Sequence, residues 1–113
     1  VLGMDVEIGA GSVVWPGASL TTNIRVGAHC HVNNAVTVGH DTRIAAFVTL
    51  NPQAAVSGAV TIEEGALVGG AACILQGQTV GRDAVIGAGA VVVRRVAASV
   101  TVVGVPAGPL ERA

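Results

Sequence analysis

"VTVGHDTRIAAFVTLNPQAAVSGAVTIEEGALVGG", Val36 to Gly70, decides the fold. A step of six from Val38 meets Ile44, Leu50, Val56, Ile62 and Val68, all branched aliphatics. Extended outward, the same step runs unbroken from Ile8 to Val92, fifteen positions each filled by Val, Ile or Leu. Two residues before each aliphatic stands a second series, from Val6, Ser12 and Ala18 to Ala84 and Ala90, made mostly of small side chains. In a strand, residues two apart share a face, so both series point inward. Glycine often follows the aliphatic, at 9, 27, 39, 69, 81 and 87, which reads as a corner needing unusual backbone angles. Each hexad is then a short strand and a turn, and no helical period competes with it. A fixed period sustained without insertion predicts a solenoid whose coils bury their apolar faces only against one another.

Composition agrees. The 113 residues suit one domain. At 51% hydrophobic, 12% charged and a mean hydropathy of +0.69, the chain would suggest a membrane protein if its apolar residues were contiguous. Gly, Asn, Asp, Thr or Arg interrupts every run well short of the roughly 18 residues a spanning helix needs. The start, VLGMDVEIG, lacks the pattern of a secretory leader. The expectation is a soluble, cytoplasmic protein with no membrane partner. With a net charge of −1 and six scattered arginines, paired only at Arg94-Arg95, it offers no footprint for nucleic acid. Cys30 and Cys73 form no C-x-x-C pair and read as two buried thiols. The only aromatic rings beyond histidine are Trp15 and Phe47, so the core must be aliphatic. Trp15, beside Pro16, reads as packing at the N-terminal end, and Glu63-Glu64 as a solvated corner.

One position stands out chemically. His40 follows core Val38 by two residues, beside Asp41, so both should face outward at a corner. In a coil of 18 residues, Thr22 and Gly58 would be its neighbours above and below, both small. An imidazole can take a proton near neutral pH, and a carboxylate in reach of the ring orients it and raises its basicity. Position alone favours a solvated turn histidine.

Large aliphatic, small residue and corner, repeated from about Val6 to Val93, resembles the hexapeptide-repeat left-handed parallel β-helix: all-β, single-stranded, three hexads per coil and about five coils. The left hand comes from this resemblance. The stretch from Asn33 through His40 to Val96, followed by "TVVGVPA", is similar to the C-terminal domain of the sialic-acid O-acetyltransferase and UDP-amino-sugar N-acetyltransferase family. The resemblance implies acetyl transfer from acetyl-coenzyme A to an amino or hydroxyl group of a sugar, with His40 as general base, Asp41 as the acid that tunes it, and no metal. It implies a coenzyme contact at Thr49, where relatives often carry a second histidine. It also implies coenzyme lining at Gly70 and Ala88, an acceptor contact at Asn33, and a homotrimer whose sites lie between subunits. The family's GVPA motif is present at Gly104 to Ala107, but the cation that usually follows is replaced by Gly108, leaving Arg112 as a substitute. Residues 1–93 would be the β-helix and 94–113 a strand and Pro-rich tail covering its end. The nucleotide-sugar domain that precedes the helix in relatives has no counterpart in this sequence.

Two other readings compete. A zinc site would need His29, His31 and His40 together, but they fall in different columns of the coil. A non-catalytic trimerisation or scaffold module, including an ice-binding one, is the other. The threonines keep no single column, which argues against the ice-binding version.

Overall fold

The computed structural model describes residues 1–110. It contains strands and turns, and no helix long and apolar enough to cross a membrane among the described residues. The chain winds through three parallel sheets, visiting each once per coil. The first face stacks Val6–Ile8, Ile24–Val26, Arg43–Ile44, Thr61–Ile62 and Thr79–Val80. The second stacks Val13–Val14, His31–Val32, Thr49–Leu50, Leu67–Val68 and Val85–Ile86. The third stacks Ser19–Leu20, Thr37–Val38, Ala55–Val56, Cys73–Ile74 and Val91–Val92. Pairing is i to i+18 throughout these five levels, as in Val6 with Ile24, Thr49 with Leu67 and Cys73 with Val91. This is a β-solenoid of five coils.

The inward series fill the prism. From Ala18 to Val92 both are buried, apart from half-buried Gln78. The one buried polar member, Thr42, donates its hydroxyl to the Ser57 carbonyl at 3.3 Å. In the first coil Ile8 is 36% exposed and Val14 half-buried, because the described chain places no coil beneath them. Trp15, in the same end coil, is half exposed. Cys30 is buried as expected, but Cys73 is only partly so. It follows inward Ala72, so alternation turns it to the outer side of the third face.

The corners correct the sequence reading. The glycines that follow the aliphatic do not carry the left-handed backbone. That conformation falls three residues before each aliphatic, at every sixth position from Asp5 (φ 58°) to Gly89 (φ 70°). Asp, Asn, His, Ala, Phe and Gln all occupy it, as do five glycines in this run. Glycine after the aliphatic answers a different need. A Cβ on Gly39 would lie 2.6 Å from the Gly58 nitrogen, and one on Gly69 2.5 Å from the Ala88 nitrogen. Those corners admit no side chain because the next coil's backbone runs against them.

After Val92 the period changes. Thr101–Val103 continues the second face in parallel, but pairs with Val85–Ile86 at a separation of 16. Gly108–Pro109 then closes the sheet by running antiparallel to Val102 and Val103. The GVPA loop contains a cis Val105–Pro106 bond and folds back so that Ala107 N–H donates to the Val91 carbonyl at 2.8 Å. Val96 and Val102 are buried, so this segment covers the last full coil.

Candidate active site

His40 and Asp41 form the corner between the third and first faces, leaving strand Thr37–Val38 and entering Arg43–Ile44. Asp41 has φ 59° and its N–H donates to the Thr22 carbonyl at 3.1 Å, one coil back. The His40 carbonyl accepts from Ala59 N–H at 2.7 Å, one coil on. The corner is therefore clamped from both sides. Its two side chains face outward, 50% and 54% exposed.

The ring is not free. His40 Nδ1 lies 2.8 Å from Asp41 Oδ2. An ionised carboxylate only accepts, so the proton of the neutral ring sits on Nδ1 and the Nε2 lone pair is left open. Hydrogen bonds from His40 first and Asn23 second hold the Asp41 carboxyl below its usual value of 3.8, which keeps it ionised. On its other side the imidazole lies over Gly58. A Cβ there would sit 2.3 Å from Nε2, so only glycine leaves the ring its present place.

The remaining predicted residues gather elsewhere. Thr49 is half-buried on the second face, directly above His31 in the ladder. Asn33 follows the strand below it, His31–Val32, and its side-chain amide donates to the Leu50 carbonyl at 3.1 Å, with Asn51 Oδ1 at 3.5 Å. Gly70 and Ala88 belong to the corner between the second and third faces, in one column with Pro52. A Cβ on Gly70 would meet only the Pro52 carbonyl oxygen, at 3.4 Å, so the surface over Gly70 is an open shelf. Within one chain the third face thus separates His40 and Asp41 from Asn33, Thr49, Gly70 and Ala88. Arg112 lies outside the described residues.

Among the described residues no three His, Cys, Asp or Glu side chains cluster as metal ligands. His29 instead stacks on Phe47, with centroids 5.2 Å apart at 20°. Two residues that sequence reasoning passed over belong to the His40 corner: Asn23 Nδ2 donates to Asp41 Oδ1 at 2.5 Å, and Arg43 Nη2 donates to Asn23 Oδ1 at 3.0 Å. Asn23 had a signal in the column spacing, since it lies one coil before Asp41, whereas Arg43, 20 residues from Asn23, had none.

The family model "Hexapeptide repeat of succinyl-transferase" matches residues 59–94. Among solved structures, WeeI from Acinetobacter baumannii superposes with a TM-score of 0.95 at 41% identity, covering 96% of this chain and 54% of that one. A histidine-to-asparagine variant of perosamine N-acetyltransferase from Caulobacter crescentus, in complex with CoA and GDP-perosamine, gives 0.95 at 33%, covering 98% and 54%. PerB from Caulobacter crescentus, with the same two ligands, gives 0.94 at 34%, covering 97% and 54%. No curated protein matches significantly by sequence. The chain spans about half the length of these structures. With an unbroken hexapeptide period, five coils and this likeness to an amino-sugar acetyltransferase, the chain has the left-handed β-helix fold of the hexapeptide-repeat acyltransferases.

Proposed function

We propose that the chain transfers an acetyl group from acetyl-coenzyme A to an amino or hydroxyl group of a nucleotide-linked sugar, with His40 as general base. The observation that carries this reading is the His40–Asp41 pair. An outward imidazole is held through Nδ1 at 2.8 Å, with Nε2 left as the free basic atom. Support comes from the CoA and GDP-perosamine that accompany the two Caulobacter relatives.

Nε2 takes the proton of the sugar amine or hydroxyl as its nitrogen or oxygen bonds to the thioester carbonyl carbon. The carbonyl electrons move onto oxygen and then return as the carbon–sulfur bond breaks. The leaving sulfur takes the proton back from the imidazolium, so the base is regenerated. Asp41 stabilises the imidazolium between these steps. Backbone N–H groups can hold the oxyanion. That of Gly58 donates to no backbone carbonyl among the described residues.

Acetyl-coenzyme A enters as a substrate, and the shelf at Gly70 and Ala88 has the shape to admit its pantetheine arm. Thr49 would flank that arm, and Asn33, a half-buried residue, would meet the acceptor. Because the third face keeps these residues from His40 within one chain, a site is completed by a second copy, as in a homotrimer. A cytoplasmic setting suits a coenzyme A thioester substrate, and residues 1–93 with the tail 94–113 would act as the catalytic β-helix unit.

Isothermal titration of acetyl-coenzyme A into the purified chain, beside His40→Ala and with the assembly mass measured, tests the reading. We expect one site per chain in a trimer for both proteins, and turnover lost only in the variant. A folded trimer that binds no acetyl-coenzyme A would refute it.

A further inference from the structure

The solenoid repeats one polar device at two levels, and the two copies differ in where they end. Arg25 Nη1 donates to the Asp5 carbonyl at 3.0 Å, and Nη2 to Asp5 Oδ1 at 2.9 Å. One coil later, Arg43 treats Asn23 the same way, at 2.7 Å to the carbonyl and 3.0 Å to Oδ1. Both recipients are left-handed corner residues, with φ 58° and 52°. At the lower level the carboxylate accepts the guanidinium and the device stops. At the upper level an amide stands in its place, and an amide has a second end. Asn23 Nδ2 donates to Asp41 Oδ1 at 2.5 Å, while Asp41 Oδ2 faces His40 Nδ1 at 2.8 Å.

The chemistry fixes the direction of this chain of contacts. A guanidinium only donates and a carboxylate only accepts. Asparagine joins them in one orientation, oxygen toward Arg43 and nitrogen toward Asp41. Flipping it would set two donors together at one end and two acceptors at the other. The third level supplies no further arginine, since the residue equivalent to Arg25 and Arg43 is Thr61, paired with Arg43 in the ladder. Asp41 therefore receives no direct guanidinium hydrogen bond, and one of its oxygens remains for the imidazole. The side chain is also 54% exposed, so without Asn23 nothing but the ring itself would hold its rotamer.

We propose that Asn23, locked by Arg43, is a positioning residue that fixes the Asp41 carboxylate and through it the orientation and tautomer of His40. This rests on the reading of His40 as the base. Asn23 touches neither substrate in this scheme; it acts through Asp41.

Asn23→Asp is the sharpest test, because Asp5 and Arg25 show that this corner accepts an aspartate in the same arrangement. The substitution keeps the Arg43 contact and turns the donor facing Asp41 into an acceptor. Asn23→Gly, compatible with the left-handed backbone, removes the amide altogether and guards against a fault peculiar to the first variant. Ring ¹⁵N shifts of His40, read at alkaline pH where the imidazole is neutral, report the tautomer without any turnover. The parent chain is expected to show the Nδ1–H form alone and both variants a mixture. The kcat should fall about ten- to a hundred-fold, the range for loss of a group that orients a functional histidine, while KM for acetyl-coenzyme A and the melting temperature stay near the parent's. Parent-like tautomer and kcat in both variants would overturn the proposal. So would a fall in kcat with an unchanged tautomer, since general damage to the fold gives that pattern. If His40→Ala retained full turnover, the base reading would fail separately, and the ring shifts would still decide whether Asn23 governs the imidazole.

Discussion

Adding one methyl group, Gly58→Ala, should damage the reaction while sparing the fold. The new Cβ would stand 2.3 Å from His40 Nε2, 2.6 Å from Cε1 and 2.7 Å from Cδ2, against an ordinary contact of 3.4 Å or more. The ring must therefore retreat by about 1 Å, and it can, because the side chain is half exposed on its open side. Gly58 has no positive φ, so alanine brings no backbone strain and restricts the unfolded chain, a stabilising change of about 0.4–1 kcal/mol at a compatible site. A catalytic group displaced by about 1 Å can lose on the order of a hundred-fold in rate. The retreat also stretches the 2.8 Å bond to Asp41, which acts in the same direction. Continuous assay of free thiol release, with thermal melting of the same preparation, separates the two effects. We expect kcat down by about two orders of magnitude and melting unchanged or slightly higher. An undiminished kcat in a folded Gly58→Ala protein would show that Nε2 is not the working atom.

Three further outcomes follow from the coil geometry. Gly69→Ala should lower stability by more than about 2 kcal/mol in chemical denaturation, because its Cβ would meet the Ala88 backbone at 2.5 Å and no side chain can yield. Gly77→Ala, whose Cβ meets nothing within 4 Å but whose φ is +80°, should cost only about 1–2 kcal/mol, from backbone strain alone. Ile62→Asn should cost about 3–5 kcal/mol by the same measurement, since the residue is fully buried and the amide would find no partner among aliphatics. The Asp41 carboxyl sits below its usual 3.8 in the folded chain, so its stabilising contribution is present above that value and lost as pH falls through the lowered one. Stability curves of the parent and Asp41→Asn should therefore differ near neutrality and converge in acid; a constant gap would contradict this.

The core was legible because alternation and a period of six leave little choice. A residue at one of the fifteen aliphatic positions has a definite face, and burial follows it from Leu20 to Val92. The corner was misread for a physical reason. Glycine suggests a special backbone angle, but here a tight approach between coils selects it, while residues as unlike as Asp41, Phe47 and Gln53 take the left-handed position. No composition marks that position; only the count from the next aliphatic does. His40 beside Asp41 could be read directly, being adjacent in sequence. The Arg43–Asn23 contact could not, because it depends on a long side chain reaching back 20 residues across a coil. The slip from 18 to 16 in the tail was likewise hidden, since the aliphatic count ends at Val92.

The uniform ladder has a consequence for how the two halves of the proposed site are spaced. Residues 40 and 41 occupy one corner, and Gly70 and Ala88 another, and the vertical offset between them is set only by how many coils the chain completes on the way. Duplicating one whole turn of 18 residues after Phe47 would preserve each pairing rule and bury its own aliphatics. It would also lift one corner relative to the other by one strand spacing, about 4.8 Å. In this architecture reach between subsites is quantised: the chain can be lengthened without unfolding, but only in steps as tall as a hydrogen-bonded rung.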